Sequence, residues 1–502
     1  MEIQRERMRQ TTTAPSWWHK ATLLFGLALL PACAPRSVGA KDRPLEVIVS
    51  SYIDTIDPRV VVEVSGMRAS RLAHAGLLCL DPKTLAPNPC AAESYRWLDE
   101  RRLRVQLRSG VRFHSGKLLD VHDVVETFAS YKRPDSRRSS MFEPLARVDA
   151  EGDSAIVFTL VRPYATLLTD LDAPILRADQ ARQAVGTGEW LDGLGPYRVA
   201  KFAPHLVEFE PAETGIGPRA RHSVVVRTVT DENARALRLL SGRADISIDQ
   251  VSPALLPGFE RQRDLSVVSV ASTNVVYLLV NHDRPALKRQ GVRKAISFAI
   301  DRDRISKTFL ENRARPAAGL LPFVPQEAQR FDARASRSLL RDEPHLTLSL
   351  LTSNDRGRVT IARFLAQLLA DVGVTIEIVA LEFGTLLSRL NGGQYDLALL
   401  QLPDVSEPNV LGHFLHSEFV PPRGANRGHV ADAALDKMID EGRGELDLEL
   451  RRALYKRLDA HIRETLPVIP LWHEDHVAVV SARASGFVPA PDGRWSLLAT
   501  LP

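Results

Sequence analysis

The chain has 502 residues, 44% of them hydrophobic and 25% charged, with a formal net charge of +4. That is core material for two or three domains, and no basic excess points to a nucleic-acid partner. Beyond residue 32 no apolar run approaches the roughly 20 residues of a membrane-spanning helix, and three cysteines do not make a disulfide scaffold.

Residues 21–32, ATLLFGLALLPA, follow a basic lead containing Arg5, Arg7, Arg9 and Lys20. The run is too short to cross a bilayer and reads as a secretory signal peptide over 1–32, with Met8 as an alternative start. Leu30-Pro31-Ala32-Cys33 resembles a bacterial lipobox, in which the cysteine thiol takes a diacylglycerol and heads the mature chain. Pro31 is unusual there, and the other reading is a cleaved signal with an incidental cysteine. Lipid at Cys33 implies a membrane anchor, a tether over 33–42 and a folded body outside the cytoplasm. Ala34 lacks the Asp that such signals use for inner-membrane retention.

Strand and helix patterns then alternate. LEVIVS (45–50), LRVQL (103–107) and AIVFTL (155–160) read as strands. Cys79 and Cys90 flank LDPKTLAPNP; in an oxidising compartment they form a disulfide, or else remain two buried thiols. Asp120 caps a helix through VHDVVETFASYK that Pro134 stops, and KRPDSRRSS (132–140) reads as an exposed loop. DENARALRLLSG places Ala234, Leu237 and Leu240 on one helical face and ends at Gly242, before a strand in ADISI. A helix through GRVTIARFLAQLLADVG, with Ile361, Phe364, Leu365 and Leu368 on one stripe, passes to the strand VTIEIVAL. The same order returns in LELRRALYKRLDAHIRET and LPVIPLW. These repeated passages predict α/β lobes with a strand-richer early section.

Several phrases together resemble the bacterial extracellular solute-binding proteins of the peptide/nickel type, family 5. They are AAESYRWLDERRLRVQLRSGVRFHSGKLLDVHDVVETFASY, GLGPYRVAKF (193–202), YLLVNHDRPALKRQGVRKAISFAIDRDRI (277–305), YDLALLQLPDVSEPNVLGHFLHS and LPVIPLWHEDHVAVV. The resemblance implies a two-lobed periplasmic-binding-protein-like α/β fold with a hinge. Lobe I would take 43–60, 186–272 and 474–502, an inserted domain 61–185, and lobe II 273–473. It also implies a monomeric substrate-binding lipoprotein that closes on its ligand and delivers it to an ABC permease and ATPase complex. Oligopeptides are the leading ligand class. A nickel chelate or another small solute, or a transporter-independent sensor or envelope lipoprotein, is the alternative.

In QLPDVSEP (401–408), Asp404 with Pro408 falls where peptide-binding members carry the aspartate that takes the peptide's α-ammonium group. Leu400-Gln401 stand where that pattern has Gly-Trp, so an aromatic wall is missing. The plainer reading of Asp404 is a turn residue bonding its own backbone. His413 and His416, and His473 and His476, are spaced i, i+3; the first pair is the weak metal candidate, and surface or capping roles are the alternative. Trp472 is one of few late aromatics available to a pocket, and His114 reads as structural. No Gly-x-Ser-x-Gly elbow, phosphate-cradling glycine loop or His-Glu-x-x-His motif occurs, so no enzyme, cofactor or resident metal is expected.

Overall fold

The computed structural model of the protein describes residues 43–186, 191–322, 329–343, 345–403, 405 and 407–502. The signal segment, Cys33 and Asp404 lie outside the described residues. A sheet of 12 strands is organised about one element, Val468–Ser481, which runs for 14 residues. Its first part, Val468 to Trp472, pairs antiparallel with Val275–Val280. From Asp475 to Ser481 it pairs with Leu265–Ala271, and Ala478 to Val480 also meets Ile246–Ile248. The strand expected in LPVIPLW therefore continues through the polar stretch His473-Glu474-Asp475-His476 and joins two lobes.

Toward the first lobe the sheet proceeds through Ile246–Ile248, Leu45–Val49, Val224–Thr228, Leu206–Pro211 and Tyr197–Ala203. Toward the second it proceeds through Val275–Val280, Leu397–Leu402, Leu346–Ser353 and Val374–Leu381. The strand Val275–Val280 is apolar without alternation because it is covered on both faces. Val276, Leu278 and Val280 enter one core with Ile361, Leu365 and Leu368 of the helix Arg356–Ala370. Val275, Tyr277 and Leu279 point the other way, into a core shared with Leu458 and Ile462 of the helix Leu448–Thr465. In the first lobe Val47 and Val480 share one core, while Ile48 and Val479 share another.

A separate antiparallel sheet orders Ala92–Asp99, Arg102–Leu107, Ala155–Leu160 and Leu145–Glu151. The helix Val121–Tyr131 covers it. Asp120 caps that helix, and Asp123 answers with a bond to the Asp120 backbone. Phe128 meets Phe158 and Phe142 edge-on at 5.0 and 5.2 Å. Cys79 and Cys90 are paired across the strands Leu78–Leu80 and Pro87–Pro89, with Cα atoms 5.4 Å apart.

In the helix Val64–Ala73, Ala69, Leu72 and Ala73 are buried with Leu45 and Val47 of the first lobe, and one expectation, on a later helix, needs correction. The separate hydrophobic core begins near Ala75. In the helix Glu232–Leu240, Leu237 and Leu240 are exposed, while Leu239 is buried. The helix is turned by Arg235, whose Nε donates to the Gln250 carbonyl at 2.8 Å and whose Nη1 donates to the carbonyls of Val229 and Thr230 at 2.7 and 2.8 Å.

Arg302 is the extreme case of such anchoring, being 3% exposed at the start of the helix Arg302–Phe309. It donates to the carbonyls of Ser297, Ile300 and Pro470 and to the Ser297 hydroxyl, fastening that helix to the long strand. Burial lowers its pKa to about 10, which still leaves it charged at neutral pH. Arg302→Leu strands these acceptors in the core and is expected to cost at least about 3 kcal/mol. Lys307→Ala, on the exposed side of the same helix, should change stability by less than about 0.5 kcal/mol; urea unfolding monitored by circular dichroism measures both.

Candidate functional site

Each lobe contains parallel strands. Leu346–Ser353 runs parallel to Val374–Leu381 and Leu397–Leu402, and Leu45–Val49 runs parallel to Val224–Thr228 and Ile246–Ile248. Ligands of parallel sheets bind beyond the carboxyl ends of the strands, where all the side loops emerge. Here those ends converge on two crossovers between the lobes, at residues 272–274 and 473–474. The crossovers are stitched together. Ser272 Oγ donates to the Glu474 carbonyl, the Asn274 amide donates to Ser272 Oγ at 2.9 Å, and the Thr273 amide donates to the Pro491 carbonyl at 2.9 Å.

On the second-lobe side stands Arg358, in the first turn of a helix capped by Asp355. Its guanidinium meets both carboxylate oxygens of Glu474, at 2.9 and 3.0 Å, and Nη2 also donates to Gln401 Oε1. Trp472 Nε1 donates to Glu474 at 3.1 Å. The Arg358 and Glu474 side chains are 21% and 20% exposed, so the pair is neither dissolved in water nor sealed from it. Gln401, which stands where the resemblance implies an aromatic residue, is thus a polar group already engaged by Arg358. Trp472 is fully buried in the second-lobe core, so it does not line an open pocket. Sequence reasoning missed Arg358, although an arginine one turn past the end of a parallel strand, behind an Asp cap, was a usable signal.

On the first-lobe side Asp249 follows the strand Ile246–Ile248 in a left-handed conformation, φ 56°. Its carboxylate lies 2.6 Å from His476 Nδ1, accepts from the Val477 amide at 2.9 Å, and has Arg68 Nη1 at 3.6 Å. Burial pushes this carboxyl up, but His476, Arg68 and the Val477 amide together hold it below the usual carboxylate range. Across the junction, the Val405 amide reaches the Thr273 carbonyl at 3.4 Å, which brings the loop after Leu397–Leu402 beside the crossover.

The histidine pairs do not assemble sites. His473 and His476 lie on a strand, not a helix, and serve different partners: His473 Nδ1 faces the Asn274 carbonyl at 3.1 Å, whereas His476 faces Asp249. His413 packs edge-on against Phe414 and tilts toward Phe419, its pKa lowered by burial and then by Arg427 and Arg443. His416 accepts from the Glu418 amide at 3.1 Å and has Asp440 3.4 Å from its Nε2. Among the described residues no group of three or more His, Cys, Asp and Glu is arranged to hold a metal. His114 Nε2 faces the Gly195 carbonyl at 2.8 Å, a structural contact. No helix among the described residues is long and apolar enough to cross a membrane.

The model of "Bacterial extracellular solute-binding proteins, family 5 Middle" matches residues 86–418. The chain is 26% identical over 466 residues to a probable di/tripeptide-binding protein 5 of Pseudomonas aeruginosa, covering 81% of this chain and 85% of that one. Among solved structures it resembles NikZ from Campylobacter jejuni in complex with Ni(L-His), with a TM-score of 0.80 and 22% identity over 92% of this chain and 99% of the other. It also resembles a dipeptide-binding protein from a Pseudoalteromonas species in complex with Met-Leu, with a TM-score of 0.78 and 22% identity over 91% and 99%. At these identities the structural likeness speaks for the fold: two α/β lobes of the periplasmic-binding type.

His473 supplies a pH test of the junction. Burial drives its pKa down to about 4, against about 6.5 in the unfolded chain. Between those values the unfolded state binds the extra proton, so the stabilising contribution is complete above pH 6.5 and is lost as the pH falls through 4. That contribution is on the order of 3 kcal/mol. His473→Gln, which keeps a donor for the Asn274 carbonyl, should flatten the acid limb of a stability-versus-pH curve by one proton. An unchanged acid limb would remove His473 from the junction's titration.

Proposed function

Because the chain belongs to the bacterial extracellular solute-binding proteins of family 5, we propose that it captures oligopeptides outside the cytoplasm by lobe closure and delivers them to an ABC permease and ATPase complex. It is a receptor and not a catalyst. The observation that carries the reading is the meeting of two sets of parallel-strand ends at one stitched pair of crossovers, with Arg358 on one side and Asp249 on the other. A ligand lodged there touches both lobes, so the closed state gains contacts that the open one lacks. The relative in Pseudomonas, a probable di/tripeptide-binding protein, favours peptides.

In this reading Asp404 takes the α-ammonium group. Arg358, reached through Gln401 on the strand that runs toward Asp404, takes a carboxylate in exchange for Glu474. Peptide backbone between these ends is held without regard to side chain, by hydrogen bonds of strand type. The division in this reading is lobe I at 43–60, 186–272 and 474–502, the inserted domain with the antiparallel sheet at 61–185, and lobe II at 273–473. Cys33 carries lipid, which keeps the monomeric receptor near its transporter. A nickel chelate remains the second reading, favoured by the fold's likeness to NikZ with Ni(L-His).

A thermal-shift series decides between them. Pools of di- to pentapeptides, the same peptides N-acetylated or C-amidated, and nickel with L-histidine form the arms. A pool at 100 times its dissociation constant adds about 2.7 kcal/mol of stability. The expected outcome is a raised midpoint with free peptides that acetylation abolishes and Asp404→Asn weakens. Arg358→Met should weaken free-acid peptides while leaving amidated ones within about twofold, the amide having no charge to lose. A shift only with nickel and L-histidine would overturn the peptide reading.

A further inference from the structure

The antiparallel unit and the second lobe touch away from the crossovers, in contacts gathered around one arginine. Arg451, in the first turn of the helix Leu448–Thr465, is 9% exposed. Its Nη2 donates to Glu407 Oε1 and, at 3.3 Å, to Thr166 Oγ1 of the antiparallel unit. Its Nε donates to the Gly442 carbonyl at 3.1 Å, and the guanidinium lies 5.3 Å over the Tyr455 ring. Glu407 in turn accepts from Thr169 Oγ1 at 3.3 Å. Around this centre Asn409 Nδ2 donates to Tyr164 Oη at 3.0 Å, and the Ala165 amide donates to the Arg443 carbonyl at 2.9 Å.

We propose that Arg451 is a positioning residue that latches the antiparallel unit to the loop segment 407–409, so that this segment has its full support only while the two parts are closed on each other. The chemistry explains why the contact is conditional. Glu407 and Arg451 both belong to the second lobe, but the hydroxyls of Thr166 and Thr169, which complete their hydrogen bonding, belong to the antiparallel unit. When the parts separate, a largely buried ion pair must exchange those hydroxyls for water and its loop loses its second support. Asp170 is buried beside this contact and interacts electrostatically with Tyr164, Glu407, Arg138 and Arg451; burial first, and then Glu407, raise its pKa to about 8.

The inference deepens the receptor reading, since it rests on closure as the working motion. The test uses the purified protein and two variants that keep side-chain shape: Thr166→Val with Thr169→Val, and Glu407→Gln. Amide hydrogen exchange at 164–170 and at Glu407 and Asn409 should accelerate together in both variants by about tenfold, as loss of hydrogen bonds to a charged group predicts. Amides in Val468–Ser481 should not change, and small-angle X-ray scattering should show a larger radius of gyration. The dipeptide Met-Leu should dissociate about tenfold faster, with its association rate unchanged within about twofold. Acceleration confined to the substituted segment, or an unchanged radius of gyration, would overturn the latch. Coupled exchange in a protein that binds no Met-Leu, no other peptide and only nickel with L-histidine would keep the latch and overturn the peptide reading.

Discussion

The structure depends on one strand belonging to two lobes. Val468–Ser481 contributes its first residues to one lobe and its last to the other. A strand cannot change neighbours without a point at which its backbone groups lose regular partners, and buried groups of that kind are costly. On the edge facing 272–274 the change falls at residues 473–474, and side chains take over there: Ser272 bonds the Glu474 carbonyl, and His473 faces the Asn274 carbonyl. On the other edge the same residues keep a ladder with Ala314–Pro316, so the junction is held by one short strand and a few side-chain bonds between two half-sheets. The polar run His473-Glu474-Asp475-His476 is the chemistry of that junction and not an interruption of the strand.

Around this spine the chain secures its elements with buried arginines aimed at carbonyls. Arg302 ties its helix to Pro470; Arg293, 7% exposed, donates to the carbonyls of Leu287, Lys288, Thr465 and Leu466. Those last two carbonyls close the helix Leu448–Thr465, where the helix dipole favours a cation. Desolvation lowers the pKa of Arg235, Arg293 and Arg302 alike. An ammonium so placed would discharge more readily, which explains arginine here: its guanidinium stays charged and its fork feeds several acceptors at once.

The legible parts of the sequence were those whose signals are local. Ala155–Leu160 and the helix capped by Asp120 could be read because alternation, a cap and a following proline sit within a dozen residues. The family resemblance carried the order of elements. What could not be read depended on distant packing. Arg235 is a charged residue on the buried side of its helix, so hydrophobic periodicity chose the opposite face, that of Leu237 and Leu240. The helix Val64–Ala73 is buried largely through Ser65, Gly66, Arg68 and Ser70, which a search for apolar stripes passes over. At the site, Arg358 looked like one of several surface arginines in its helix until Glu474, more than a hundred positions away, showed what it faces.

That pairing has a consequence for selectivity. With its fork engaged by Glu474 and Gln401, Arg358 presents little net charge to an approaching solute. On the proposed reading an acidic ligand displaces an internal carboxylate, and the gain is a difference between two similar ion pairs, small compared with the strength of either. Discrimination then falls to groups that have no internal substitute and to the contacts made on closure. A receptor arranged this way binds weakly any solute that satisfies one lobe alone, and it reserves its affinity for one long enough to engage both.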